Sequence, residues 1–256
     1  MKEIVTHYFK PIRLEEMEQV KLMNRTDTKY WFHMNHLQKI LQGIHKKYFI
    51  LKIGGQTILP YATTYYDTTE NSMYEAHHNG KLNRYKVRRR SYITSEISFL
   101  EVKFKSNKGR TIKKRILTEF GEIEFTPQEN DFLNELIPYN YQYLLPSLIN
   151  NFSRLTLVNR NFQERCTIDI NLRFKSNNKQ VSLDNLVIVE IKSEGNPSNS
   201  PLAIALRDQR IKSSGFSKYC VGRTITDASL KRNAFKSKIR SIGKTIETEN
   251  NLYDII

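Results

Sequence analysis

Phe99-Leu100-Glu101-Val102-Lys103-Phe104-Lys105 decides the fold class. In an extended strand, residues i and i+2 share a face. Leu100, Val102 and Phe104 therefore make an oily face, and Glu101, Lys103 and Lys105 a charged one. Upstream, Arg88-Arg89-Arg90 belongs to a strand in which Lys86, Arg88 and Arg90 lie together. Downstream, Thr111-Ile112-Lys113-Lys114-Arg115-Ile116 groups Thr111, Lys113 and Arg115. Asn107-Lys108-Gly109 is a turn that makes the last two strands a hairpin. Neighbouring strands lie about 4.8 Å apart, so these polar faces merge into a dense positive surface. A polyanion is its natural partner.

The chain is long enough, at 256 residues, to bury a substantial core. No linker or low-complexity tract divides it, which gives a single domain over 1–256. Within it we expect a core at about 24–224, a helical N-terminal segment at 11–23 and a C-terminal helix at 227–242. Lysine and arginine number 41 against 26 acids, a net charge of +15, which favours nucleic acid, phosphate polymers or an anionic membrane surface. Fourteen tyrosines and thirteen phenylalanines exclude a disordered chain. Cys166 and Cys220 stand alone, as free thiols of a reducing compartment do. No stretch approaches the roughly 18 apolar residues of a membrane span. Met1 to Lys10 lacks the apolar segment of a signal peptide. The expected location is the cytoplasm.

Along the chain, Arg13–Met23 reads as an amphipathic helix with Leu14, Met17 and Leu22 inward, and Asn24–Phe32 as a strand. Asn35 is placed to cap a helix running to about Lys47, with Leu37, Ile40, Leu41 and Ile44 on one side. Thr57–Tyr66 is β-branched and aromatic, hence a strand, and Asn79-Gly80 a turn. Thr126-Pro127 starts a helix, and two short helices fill 127–150 around Pro138. Strands resume at Arg154–Phe162, Arg165–Phe174 and Val187–Glu194. In the second, Cys166, Ile168, Ile170 and Leu172 face inward. Ser200-Pro201 opens a helix to about Ser213, and Asp227 caps a last one carrying Leu230, Ala234, Phe235 and Ile239.

The competing reading of the charged faces is an ordinary solvated sheet surface. Such a surface mixes charges of both signs. Here Lys29, Lys86, Arg88, Lys103, Lys113, Arg115, Arg160, Arg165 and Lys192 stand against Asp27, Glu101, Asp169 and Glu190. Two like charges about 6 Å apart repel by about 3 kcal/mol at an effective dielectric near ~20. A cluster of that density costs stability unless an anion occupies it, and proteins keep such costs at functional sites. If the strands close into a barrel, the cations line a wet, narrow interior with helices outside.

The ordered series Thr28-Lys29-Tyr30-Trp31, Lys86-Val87-Arg88, Phe99 to Lys103, Gly109 to Lys113, Asn159-Arg160, Val189-Glu190-Ile191-Lys192 and Phe216-Ser217-Lys218-Tyr219 resembles the vacuolar transporter chaperone (VTC) domain. That domain is a branch of the triphosphate tunnel metalloenzymes, and its catalytic eukaryotic form is a polyphosphate polymerase. The resemblance implies an α+β fold whose antiparallel barrel forms a cationic tunnel for ATP and polyphosphate. It implies that Lys29, Lys86, Arg88, Lys103, Lys113, Arg160 and Arg165 bind phosphates, with Arg115 beside them. Ser217 and Lys218 would sit at the tunnel mouth near the terminal phosphate. Lys29, Arg88, Arg160 and Lys218 would be the catalytic cations. Glu190 would hold Mn²⁺ or Mg²⁺, while Glu101 and Lys192 orient neighbours by ion pairing. Eukaryotic relatives work beside transmembrane subunits, so a separate membrane partner is implied.

Three departures qualify the likeness. Lys86 stands where the polymerases carry arginine, which replaces a two-pronged donor with a point charge. Val158 occupies a tyrosine position. Arg25-Thr26-Asp27-Thr28-Lys29 keeps only the second acid of the superfamily's Glu-x-Glu-x-Lys strand, leaving Asp27 as a second metal contact. No Walker loop is present, because Lys108-Gly109-Arg110-Thr111 is a hairpin turn. His77-His78 reads as surface rather than a zinc site. The rivals to a polymerase are a triphosphatase or polyphosphatase, a silent polyphosphate-binding module, and a nucleic-acid binder. The last is disfavoured because Phe99 and Tyr85 fall largely away from the cations.

Overall fold

The computed structural model describes residues 6–20, 26–176, 179–194 and 197–246. Its strands are β1 (Lys10–Ile12), β2 (Thr26–His33), β3 (Tyr48–Leu51), β4 (Leu59–Thr68), β5 (Arg84–Tyr92), β6 (Ile97–Lys105), β7 (Thr111–Thr118), β8 (Leu144–Asn159), β9 (Glu164–Ser176), β10 (Lys179–Leu183) and β11 (Leu186–Ser193). The helices are α1 (Leu37–Ile44), α2 (Ser72–His78), α3 (Pro127–Leu136), α4 (Pro201–Asp208), α5 (Lys218–Thr226) and α6 (Lys236–Ile246). All the strands belong to one sheet, in the order β2-β11-β9-β8-β4-β5-β6-β7. Every step on that path is antiparallel; β3 pairs with β8 and β10 with β9, and only β1 joins in parallel, on β3. The architecture is α+β.

The sheet is not closed into a barrel. Its path ends at β2 and β7, which do not pair with each other among the described residues. Both edges carry cations on the charged face, Lys29 on β2 and Lys113 with Arg115 on β7, and like charges set opposite each other oppose pairing. β7 is correspondingly exposed along most of its length.

The oily face of the sheet is the covered one. Leu37, Ile40, Leu41 and Ile44 of α1, with Leu202 and Leu206 of α4, bury Leu155, Leu157, Cys166, Ile168, Val187, Val189 and Ile191. Leu133 of α3 packs over Val87, Leu100 and Val102. α5 and α6 pack on the other side of the sheet, joining Leu148, Phe152, Leu172 and Phe174 with Leu186 and Ile188, which alternate onto the face of Glu190 and Lys192. The middle arginine of the triplet serves the α3 side: Arg89, 4 % exposed, pairs with Glu129 at 3.1 Å. Glu129 also completes a capping box with Thr126, as Thr126-Pro127 predicts.

Several expectations change. Residues 13–23 hold a short 3₁₀ turn at Glu15–Gln19, with Leu14 exposed; Leu22 and Met23 lie outside the described residues. The Asn35 cap is replaced by His33, whose Nδ1 accepts the Asn35 N–H at 3.1 Å. Of the two helices expected over 127–150, the first is α3 and the second, past Pro138, is a single 3₁₀ turn at Tyr141–Tyr143. The reason is that β8 begins at Leu144 and continues through Pro146 with a bulge in its pairing to β4. α4 stops at Asp208. Asp227 ends α5 rather than starting the last helix, and its Oδ1 accepts the Ser229 N–H and hydroxyl. His78 is buried on α2, not surface, and its Nε2 accepts the Ala234 N–H. Cys166 and Cys220 are free and buried. No helix among the described residues is long and apolar enough to cross a membrane.

α5 positions the loop that reaches the charged face, and a glycine sets how closely it docks. A Cβ at Gly222 would come within 2.5 Å of Leu148 and Phe174. Gly222→Ala should therefore push α5 off the sheet. We expect a loss of about 1–3 kcal/mol, seen as a fall of several degrees in Tm.

Candidate functional site

The charged face curls around a cavity of about 660 Å³. Residues of nine strands reach it. β5 supplies Lys86, Arg88 and Arg90, β6 Lys103, and β7 Lys113 and Arg115. Opposite them stand Lys29 of β2, Arg154 of β8, Arg165 of β9 and Lys192 of β11, with Lys218 opening α5. Eleven lysines and arginines thus line the cavity, against Asp169 and Glu190 as lining acids. Tyr61 and Tyr65 of β4 complete the wall.

Three carboxylates hold these cations in place. Glu101 is fully buried; Arg88 Nε donates to its Oε2 at 2.6 Å, and Lys113 Nζ contacts Oε1. Burial alone would raise the Glu101 pKa, but Arg88, Arg90 and Lys113 hold it well below the usual range. Asp169 takes Arg154 in a two-pronged grip, Nε to Oδ1 at 2.6 Å and Nη2 to Oδ2 at 2.8 Å, and also receives Lys218 Nζ. Burial opposes its ionisation as well, and Arg154 and Lys218 overcome that. Glu190 lies 3.2 Å from Lys192 and 3.7 Å from Lys29. Against the pull of burial, those lysines bring it down to about 2.

The remaining cations are in excess. Lys103 is pulled down to about 5, first by Arg88 and then by burial and Arg90. Burial brings Lys86 to about 8, with Arg88 and Lys29 adding to it. Lys113 also falls to about 8 through burial, although Glu101 opposes the change. A lysine that sheds its proton near neutrality marks a place where positive charge exceeds what the protein's own acids balance.

Of the residues expected at the site, Arg160, Asp27 and Glu101 are absent from the lining of this cavity, and the others all line it. The Arg160 side chain stacks on Phe49, 4.0 Å from the ring centroid, and borders a different pocket. The cavity instead receives Arg154 of β8, whose guanidinium lies beside the stacked Tyr61 and Phe152 rings, 5.0 and 5.2 Å from their centroids. Arg90 and Asp169 were legible as members of polar faces, since both obey the strand alternation. Ser217 caps α5, accepting the Cys220 N–H at 3.3 Å, and also receives Lys86 Nζ at 3.3 Å. Asp27 sits across from Lys192, whose Nζ it receives at 3.0 Å. Phe99 falls on the cationic face after all, beneath Arg115 at 4.3 Å, whereas Tyr85 stacks on Phe104 on the other side.

A family model for the VTC domain matches residues 24–226. The chain belongs to the VTC domain family. No curated protein sequence matches it. Among solved structures, this VTC domain is similar to a putative adenylyl cyclase from Hippeastrum described as having a dominant triphosphatase activity. The identity is 13%, the TM-score 0.45, and the match covers 78% of this chain and 96% of the other. It is also similar to the PH1819 protein of Pyrococcus horikoshii, at 10% identity and a TM-score of 0.43 over 76% of this chain and 93% of that one. At these values neither neighbour bears on what the VTC domain does.

The lysines give a pH signature. An anion seated beside Lys103 raises its pKa, so the bound protein holds more protons than the free protein above about pH 5. Tripolyphosphate, as a probe anion, should therefore bind with net proton uptake near neutrality. Calorimetry in buffers of different ionisation enthalpy reads this once the probe's own titration is subtracted. Lys103→Met should remove up to about one proton of uptake. Zero uptake by the unaltered protein would contradict the assignment.

Proposed function

We propose that this VTC domain is a polyphosphate polymerase. The cavity serves as a tunnel in which the ATP γ-phosphate passes to a growing polyphosphate chain. What supports the reading best is the lining itself, eleven lysines and arginines around one cavity, with lysine pKa values drawn down by their neighbours and by burial. Phosphoryl transfer demands little covalent chemistry from the protein, and proceeds by positioning and charge neutralisation. Arg88, Lys103 and Lys113, with Lys86 and Arg115, hold the triphosphate along β5–β7. Lys218 and Ser217 meet the terminal phosphate at the α5 end, and Lys29, Arg154, Arg165 and Lys192 carry the chain on the facing wall. A terminal phosphate oxygen of the chain attacks the γ-phosphorus, the bond to the β,γ-bridging oxygen breaks, and ADP leaves with that oxygen.

Glu190 is the residue suited to a divalent metal. It is ionised, lines the cavity and is flanked by ammonium groups rather than by a guanidinium fork. No cluster of three or more His, Cys, Asp or Glu able to hold a metal occurs among the described residues. Glu190 would thus supply one oxygen, with substrate phosphates supplying others, as Mg²⁺ and Mn²⁺ commonly accept. Bound there, the ion would add positive charge against the transferred phosphoryl group. Asp27 faces Lys192 and is a candidate for a supporting contact. The reading also includes a single domain acting in the cytoplasm beside a separate membrane protein.

A triphosphatase would transfer to water and would need a base to activate it. Glu101, Asp169 and Glu190 are all held as weak bases by their cation partners. A phosphate oxygen is already ionised and needs none, which favours a phosphate acceptor. Purified protein with ATP and Mn²⁺ should yield ADP and a phosphate polymer that can be sized on a gel. Free orthophosphate without polymer would favour the hydrolase, and no turnover with or without a primer would sink both. Lys103→Glu should lower the rate at least about a hundredfold.

A further inference from the structure

A second pocket of about 530 Å³ lies at the end of the sheet where β8 and β11 stop and β9 starts. Its Glu164 and Ser193 alternate with the cavity-lining Arg165 and Lys192, so it wraps from the cavity's rim toward the other face. The strand registers relate the two. Val158 stands opposite Arg165, and Lys192 is also paired with Arg165. Arg160 lies two residues beyond Val158, in the turn that follows the end of β8 at Asn159. Its N–H donates to the Lys47 carbonyl at 3.1 Å, which sets Lys46 and Lys47 beside it. All three cations border the pocket.

The floor of this pocket contains an unmet polar group. Ser193 is 5 % exposed, borders the pocket, and its buried Oγ has no hydrogen-bond partner. A buried hydroxyl left without a partner marks a place where a polar ligand or water belongs. Of the two acids in the lining, Glu164 is occupied within the protein. Its Oε1 receives the Tyr48 hydroxyl, the Cys166 thiol at 3.0 Å and the Ser200 hydroxyl at 3.0 Å. Glu194 is the other.

We infer that this pocket is a second polyanion subsite, one that holds the part of a phosphate chain emerging past Arg165 and Lys192, through Lys46, Lys47, Arg160 and the Ser193 hydroxyl. The inference rests on the tunnel reading and extends it: a triphosphate is held by the cavity alone, whereas a long chain also engages the rim. Arg160 therefore acts on the polymer rather than on the transferred phosphate.

Binding of two probes to one set of variants tests this. In Lys46→Glu/Lys47→Glu/Arg160→Glu, affinity for long-chain polyphosphate should fall on the order of tenfold, about 1.4 kcal/mol, while affinity for tripolyphosphate stays unchanged. Because Arg160 packs on Phe49, Lys46→Gln/Lys47→Gln provides a milder variant that leaves the stack intact and should show a smaller loss in the same direction. An unchanged affinity for the long chain in both variants overturns the inference. Equal losses for the two probes do so too, since the effect would then belong to the cavity. Failure of the unaltered protein to bind tripolyphosphate removes the tunnel reading itself.

Discussion

The structure depends on mutual repulsion being held in check inside a concave sheet. Cations on neighbouring strands face one another across a few ångströms, and the sheet can form only because each cluster is given an acid. Glu101 ties β6 to Arg88 of β5 and Lys113 of β7. Asp169 ties β9 to Arg154 of β8 and to Lys218 at the start of α5. Glu190 ties β11 to Lys29 of β2. These bridges run across strands, so they fix where the guanidinium and ammonium groups point as well as offsetting their charge. Breaking one would leave an uncompensated charge in a poorly solvated place, a far larger loss than a surface pair would cause.

The arrangement inverts the usual one for a half-covered sheet. Apolar side chains of the outer face are covered by α1, α3 and α4. The concave face carries the polar groups beside a second apolar cluster, packed by α5 and α6, whose Leu51, Tyr61, Tyr65, Ile188 and Phe216 reach the cavity. The acids are too few to balance the lining, and the surplus is visible in Lys103, Lys86 and Lys113. An incoming polyanion completes the balance. Binding and protonation are therefore one linked equilibrium, and a free carboxylate able to serve as a base is what the cavity lacks.

Strand alternation makes much of this legible in the sequence. Leu100 and Val102 against Glu101 and Lys103, or Cys166 and Ile168 against Arg165 and Asp169, declare their faces without help. The parts that are not legible have identifiable reasons. α5 is written Lys218-Tyr-Cys-Val-Gly-Arg-Thr-Ile-Thr, rich in residues that disfavour helix; it forms because Ser217 caps it and nearly all of its side chains are buried. Arg154 and Arg160 are in phase in the sequence alternation, so local pattern cannot tell that β8 stops at Asn159 and leaves Arg160 in a turn outside the cavity. Closure of the sheet is a matter of contacts between its first and last edges, β2 and β7, which no local periodicity encodes. Pro146 conceals the first half of β8, because proline in a strand usually argues against one.

The central claim is that one phosphate chain occupies the hollow lined by these cations. A crystal structure with tripolyphosphate tests it most directly. The account predicts phosphate density inside the cavity, in contact with Arg88, Lys103 and Lys218. Density confined to the outer surface, with the cavity holding only solvent, would contradict it.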